Sequence, residues 1–138
     1  MSTDPDPKIE ALRSIAAFSS LAEDDLEFMA SLLDEVDMEA GRELMHEGER
    51  AREFLFIVEG SVRVERDGET IALVGPGEVL GEMGVLTGDR RNATARAVTP
   101  LHVFVGPARV MDAIRGDVAV AEILDRTVAE RGPHDPVA

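Results

Sequence analysis

The chain has no cysteine, tyrosine or tryptophan. Without cysteine, disulfides and thiolate metal sites are excluded. Without Tyr and Trp, a base cannot stack on either ring. Histidine is scarce. His46, His102 and His134 lie far apart and form no His-x-His or His-x-x-x-His pair, so no metal site is expected. Long apolar runs are missing too. The stretch Phe54 to Val58 falls far short of the roughly 20 residues a spanning helix needs, so no membrane insertion is expected. The start, Met-Ser-Thr-Asp-Pro-Asp-Pro-Lys, has no apolar signal-peptide core, and the expected location is the cytoplasm. Positive charge is also short: 14 Lys and Arg face 28 Asp and Glu, for a net charge of −14. That balance repels phosphate backbones and argues against direct nucleic-acid binding. No Gly-x-Ser-x-Gly elbow and no clustered histidines are present. No catalytic residues are expected, and the chain is read as a non-enzyme.

What remains is enough for one ordinary domain. A chain of 138 residues buries roughly two-thirds of its unfolded surface. Residues 1–7 are polar with two prolines and are expected to be disordered. Ile9, Leu12, Ile15 and Ala16 form a helical stripe over 8–17. Ser20-Leu-Ala-Glu23 reads as a capping box for a helix carrying Leu21, Phe28, Met29, Leu32 and Leu33. From Val36 to Val105 the period shortens. Strands are expected near 36–39, 43–46, 53–58, 61–66, 69–74, 92–98 and 101–105. Nine of the twelve glycines fall between Gly41 and Gly88. Gly60 and the Asp67-Gly68 pair read as hairpin turns. Many short strands with glycine turns imply an antiparallel sandwich or roll. Pro107 opens a helix that ends at Gly116, and Asp117 caps a last helix reaching about Arg131. The expected layout is therefore a domain over 8–131 and a flexible tail over 132–138.

The stretch 75–97 carries the chemistry. Its glycines let backbone N–H groups approach a ligand. A short helix starting near Met83 would aim its positive end at an anion. Glu82 lies in that turn. Nine residues on, Arg91 offers a charged fork suited to two phosphate oxygens. Between Gly81 and Ala97, three arginines outnumber two acids, a local sign opposite to that of the whole chain. One acceptor carboxylate and one guanidinium suit a ligand with a sugar hydroxyl and a phosphate.

The residues Gly81, Glu82, Met83, Gly84, Val85 and Leu86, followed by Arg91, Asn92, Ala93 and Thr94, resemble the phosphate-binding cassette of the cyclic-nucleotide-binding domain family. The likeness extends over roughly 9–131 and looks closest to bacterial versions, including the sensor of a cyclic-nucleotide-gated potassium channel. The resemblance implies an α+β fold: a jelly-roll-like antiparallel β-roll of about eight strands, with N-terminal helices and two C-terminal helices. It implies a ligand, cAMP or secondarily cGMP, and no further cofactor. It implies a site formed by Leu80, Gly81, Glu82, Met83, Arg91, Asn92 and Ala93. Glu82 would accept the ribose 2′-hydroxyl and Arg91 would pair with the cyclic phosphate. Arg131 would lie over the purine, with Leu124, Thr127 and Val128 completing the cap. Val85 would relay movement of the cassette to the hinge between the last two helices. Asn92 stands where family members often carry Ala, Ser or Thr. The expected role is an intracellular cyclic-nucleotide sensor acting on a protein partner, or one domain of a longer protein whose output module lies elsewhere. The initiating Met favours the former. Two other classes stay open: a non-binding interaction domain of the same fold, and a cupin-like metalloenzyme.

Overall fold

A computed structural model describes residues 6–130. The expected tail over 132–138 lies outside the described residues, as does all of the expected disordered start except Asp6 and Pro7. Helix α1 (Pro7–Arg13) starts where the Asp6 carboxylate accepts the Lys8 N–H at 2.9 Å. A single 3-10 turn, Ala16–Phe18, follows. Helix α2 spans Glu23–Leu32. The expected capping box is not formed: Ala22 is the cap residue and no side chain bonds there. Three acids in the first turn, Glu23, Asp24 and Asp25, still favour that end of the helix.

The strands are β1 (Asp34–Met38), β2 (Glu43–Met45), β3 (Glu53–Glu59), β4 (Val62–Arg66), β5 (Glu69–Val74), β6 (Val79–Leu80), β7 (Thr94–Ala97) and β8 (Leu101–Pro107). They form two antiparallel four-stranded sheets, ordered β1-β8-β3-β6 and β2-β7-β4-β5. The β-roll with flanking helices is the fold expected from the sequence. Asp67 and Gly68, at φ 54° and 81°, make the hairpin between β4 and β5. Gly60 does something else. Strands β3 and β4 belong to different sheets, so Gly60 sits at a crossing and not in a hairpin. A Cβ there would lie 2.4 Å from the Pro100 carbonyl oxygen and 2.6 Å from Leu101 Cδ2, so only glycine fits the corner. Strand β6 was not expected as a separate element.

Burial follows from side-chain alternation. In β3, Phe54 and Phe56 point to one face and Leu55 and Ile57 to the other, and all four are buried. The first pair joins a helix-side core with Phe18, Leu26, Met29 and Phe104. The second pair joins the roll interior with Val62, Val64, Ala95 and Val103. The first sheet is thus covered on both faces, which explains the unbroken apolar run in β3. Phe56 meets Phe18 edge-on at 5.3 Å and Phe54 at 5.5 Å. Truncating such a phenylalanine to alanine costs about 3–5 kcal/mol.

Three more helices complete the described residues: α3 (Glu82–Thr87), α4 (Ala108–Arg115) and α5 (Val118–Glu130). Pro107 is the cap residue of α4 and the last residue of β8, one position before the helix it was expected to open. Gly116 ends α4. Asp117 caps α5 as expected: its Oδ1 accepts the N–H of Ala119 at 3.0 Å and of Val120 at 3.4 Å.

His102 on β8 is held between two carboxylates of β1, Asp37 at 2.7 Å and Glu35 at 2.6 Å, one on each ring nitrogen. Burial alone would lower its pKa and is the largest single influence. The bonds and charges of Asp37 and Glu35 together outweigh it, and the pKa rises above 6.5. A histidine with a raised folded-state pKa adds stability that is full below its unfolded value and fades as pH climbs through the folded one. His102→Gln should therefore cost more stability below pH 6.5 than in alkaline buffer. Melting curves of both proteins across pH check this, and a pH-independent difference would show that the two bonds carry no charge.

Candidate functional site

Among the described residues, three polar or charged side chains are buried: Glu82 at 3% exposure, Arg91 at 5% and Thr94 at 8%. All three lie in the segment singled out by its sequence. Burial of a carboxylate and a guanidinium is costly unless the groups are matched, so their placement here calls for a physical cause.

The first cause is Gly81. It stands before α3 at φ 83°. A Cβ on it would sit 2.6 Å from Met45 Cε, 2.7 Å from Arg91 Nη1 and 2.9 Å from the Glu53 carbonyl oxygen. Glycine is required here twice, by its backbone angle and by the space the guanidinium occupies. Arg91 Nη1 donates to the Gly81 carbonyl at 3.0 Å. That same carbonyl accepts the Val85 N–H at 3.3 Å, so the arginine is tied to the first turn of α3. Arg91 Nη2 donates to the Glu53 carbonyl at the start of β3. The arginine's main chain is fixed as well. Its N–H donates to the Glu49 carbonyl at 2.7 Å, and its carbonyl accepts the Gly48 N–H at 2.9 Å. One residue thus joins α3, β3 and the connection between β2 and β3.

Electrostatics fits this picture. Burial pushes the Arg91 pKa below its ordinary value, while the charges of Glu53, Glu82 and Glu49 pull it back up. An arginine stays protonated in a protein, so a fixed positive charge sits at this point of an acidic molecule. Its planar fork suits a phosphate or carboxylate.

The other expected site residues fall into place around it. Leu80 ends β6, and Ala93 precedes β7; both are fully buried in the roll interior. Glu82 is the first residue of α3, so the helix starts one position before the expected Met83, which lies within it. Asn92 is exposed, and its carbonyl accepts Arg66 Nε at 2.9 Å. Thr94 acts structurally. Its hydroxyl accepts the Glu47 N–H at 3.0 Å, fixing the strap, the connection between β2 and β3 whose Gly48 and Glu49 bond the Arg91 main chain. Val85 is half-buried against the helix-side core that also holds Met111 of α4 and Ile123 of α5. Leu124, expected to help complete the cap, is 4% exposed and belongs to that same core. Its apolar side chain is used up in packing α5 against the N-terminal turn and α4. Arg131 lies outside the described residues, as do the side chains of Thr127 and Val128. Met45 and the main chain of Glu49 and Glu53 were not foreseen, because a carbonyl contact leaves no residue-type signature. Among the described residues, no group of His, Asp and Glu is arranged to hold a metal. No described helix is long and apolar enough to cross a membrane.

A β-roll with a glycine-bounded short helix, a buried acid and a buried arginine defines a class of small-ligand binding domains. The comparisons place the chain within it. Residues 35–116 match the family described as Cyclic nucleotide-binding domain, and the chain belongs to that family. It is 36% identical over 89 residues to an uncharacterized protein of Mycobacterium tuberculosis, covering 64% of this chain and 18% of that one. It is 31% identical over 100 residues to a cyclic nucleotide-gated potassium channel of Rhizobium etli, covering 70% and 27%. Among solved structures it resembles a cAMP-binding acyltransferase from Mycobacterium smegmatis, at TM-score 0.78 and 27% identity, covering 90% of this chain and 40% of that one. The chain therefore spans well under half the length of each of these relatives.

The geometry makes Gly81 testable against a control. Gly88 also has a positive φ, 77°, but a Cβ there meets nothing within 4 Å. Gly88→Ala should show the backbone cost alone, of order 1–3 kcal/mol. Gly81→Ala should lose clearly more, because the methyl also displaces Arg91 and Met45. Urea denaturation of the two variants checks this, and equal losses would show that the close approach is inconsequential.

Proposed function

We propose that this domain is a non-catalytic sensor that binds cAMP, with cGMP as the second choice. The observation that carries the reading is the buried Arg91 guanidinium, fixed against the Gly81 and Glu53 carbonyls beside the buried Glu82. Arg91 meets the cyclic phosphate, and Glu82 accepts the ribose 2′-hydroxyl. The match to the family and the likeness to a cAMP-binding acyltransferase support this assignment. A cytoplasmic location accords with an internal messenger as ligand.

The signal leaves through packing. The Gly81 carbonyl serves both Arg91 and the first turn of α3, so drawing the guanidinium toward a phosphate shifts that turn. Val85 rests on the core shared with α4 and α5 and carries the shift to the Gly116-Asp117 hinge. A ligand moves such an equilibrium only by as much as it prefers one state. The output belongs to a protein partner or to another module of a longer protein.

Calorimetric titration of three proteins with cAMP and 2′-deoxy-cAMP tests the two contacts separately. Arg91→Ala removes a charge-assisted pair worth about 1.5–3 kcal/mol, which weakens cAMP affinity by about 10- to 150-fold. Wild type should lose affinity for the deoxy ligand, whereas Glu82→Ala should bind both ligands alike. An unchanged isotherm for Arg91→Ala would sink the phosphate assignment. Equal deoxy penalties in wild type and Glu82→Ala would remove the sugar contact.

A further inference from the structure

Beside the connection between β2 and β3, an open pocket of about 650 Å³ is lined by Gly48, Glu49, Arg50, Arg52 and Arg90. Arg50 and Arg52 come from the connection between β2 and β3, and Arg90 from the connection between α3 and β7. The main chains of Arg50 and Arg90 form an antiparallel bridge. Arg90 Nη1 donates to the Gly48 carbonyl at 3.0 Å, and the Arg52 carbonyl accepts the Ala108 N–H at 2.8 Å. The backbone carrying the three arginines is thus pinned from both sides. All three side chains are exposed.

The sequence has twice as many acids as bases. Arg13, Arg63, Arg96 and Arg115 all have carboxylate partners. Among the described residues, Arg50, Arg52 and Arg90 form no such ion pair; Arg42, Arg66, Arg109 and Arg126 form none either, but only the first three line one pocket together. Three like charges converge on one pocket while carboxylates are abundant elsewhere. Only Glu49 contributes an acid to the lining.

We propose that this pocket docks an acidic segment of a partner protein, one presenting two or three carboxylates in an extended stretch. Each guanidinium can grip a carboxylate through two parallel hydrogen bonds. Small-molecule sites are mostly apolar and enclose their ligand. This one is open and charged, the character of arginine clusters that read acidic motifs. A nucleic acid is disfavoured, because a long phosphate backbone would also meet the acidic remainder of the surface. A short segment touches the basic pocket alone. The pinned backbone lowers the ordering cost of binding. Arg50 and Arg52 are not part of the proposed nucleotide site, so this inference stands or falls apart from it.

The test is fluorescence anisotropy with a labelled peptide of alternating Glu and Asp residues flanked by glycines, at low salt and without nucleotide. Wild type should bind it saturably, and binding should weaken as salt shortens the screening length. The double variant Arg50→Glu, Arg52→Glu should bind at least about tenfold more weakly, and the milder Arg50→Gln, Arg52→Gln pair should weaken it in the same direction. Arg63→Ala, outside the pocket lining and close to Glu65, should leave it unchanged. Circular dichroism and cooperative thermal melts show that the variants are folded. Absence of saturable binding to wild type, or equal binding by the arginine variants, would overturn the proposal. Displacement of the peptide by inorganic phosphate at equal molar concentration would also overturn it, because the pocket would then be a small-anion site.

Discussion

The burial of one guanidinium organises this domain. Arg91 is 5% exposed, and a charge in that position is stable only when its donors and field are matched. Main-chain carbonyls of Gly81 and Glu53 accept from it, and surrounding carboxylates add their field. Each carbonyl belongs to a different element, so the arginine can be satisfied only when α3 and β3 are in register with each other. Its own N–H and carbonyl fix the strap at Gly48 and Glu49. Gly81 leaves the space, and Thr94 fixes the strap at Glu47. The local sequence of glycines, small residues and a threonine is the set of side chains compatible with that one buried ion.

The rest of the fold is a frame built on two cores. The sheet β1-β8-β3-β6 is covered by the roll interior on one face and by helices on the other. Its phenylalanines lock edge-on and leave little freedom. The helix-side core, in contrast, mixes residues from α1, α2, α4 and α5 with Val85 from α3. Interiors are close-packed, and Val85 of α3 is in contact with that core. Asp117 caps α5 directly after the Gly116 stop of α4, so the two C-terminal helices are separate segments.

Much of this was legible in the sequence. Asp67-Gly68 announced its hairpin, Asp117 its cap, and the Gly-Glu and Arg-x-Ala-Thr elements their shared segment. What stayed hidden has physical reasons. Strand β6 is two residues long, Val79 and Leu80, too short to show a period of two. Gly60 looks like a hairpin residue because a corner between sheets and a hairpin both need a positive φ; only the Pro100 and Leu101 contacts tell them apart. Ser20 and Glu23 have the capping-box types, yet the chain enters α2 at Ala22, with Leu21 buried just before it. Leu124 carried a helical stripe that fitted both a ligand cap and a core, and it is in the core. The carbonyls that hold Arg91 could not be read at all, since every residue has one.

Whether a cyclic nucleotide enters this site is tested most directly by a thermal melt of the wild-type chain. With cAMP at 100 times its dissociation constant, binding to the native state alone adds about 2.7 kcal/mol, a rise on the order of 10 °C for a domain of this size. The same concentration of 5′-AMP, with its ring opened and its phosphate doubly charged, should raise the melting temperature far less. No rise with cAMP or cGMP at millimolar concentration, or an equal rise with 5′-AMP, would contradict a cyclic-nucleotide sensor.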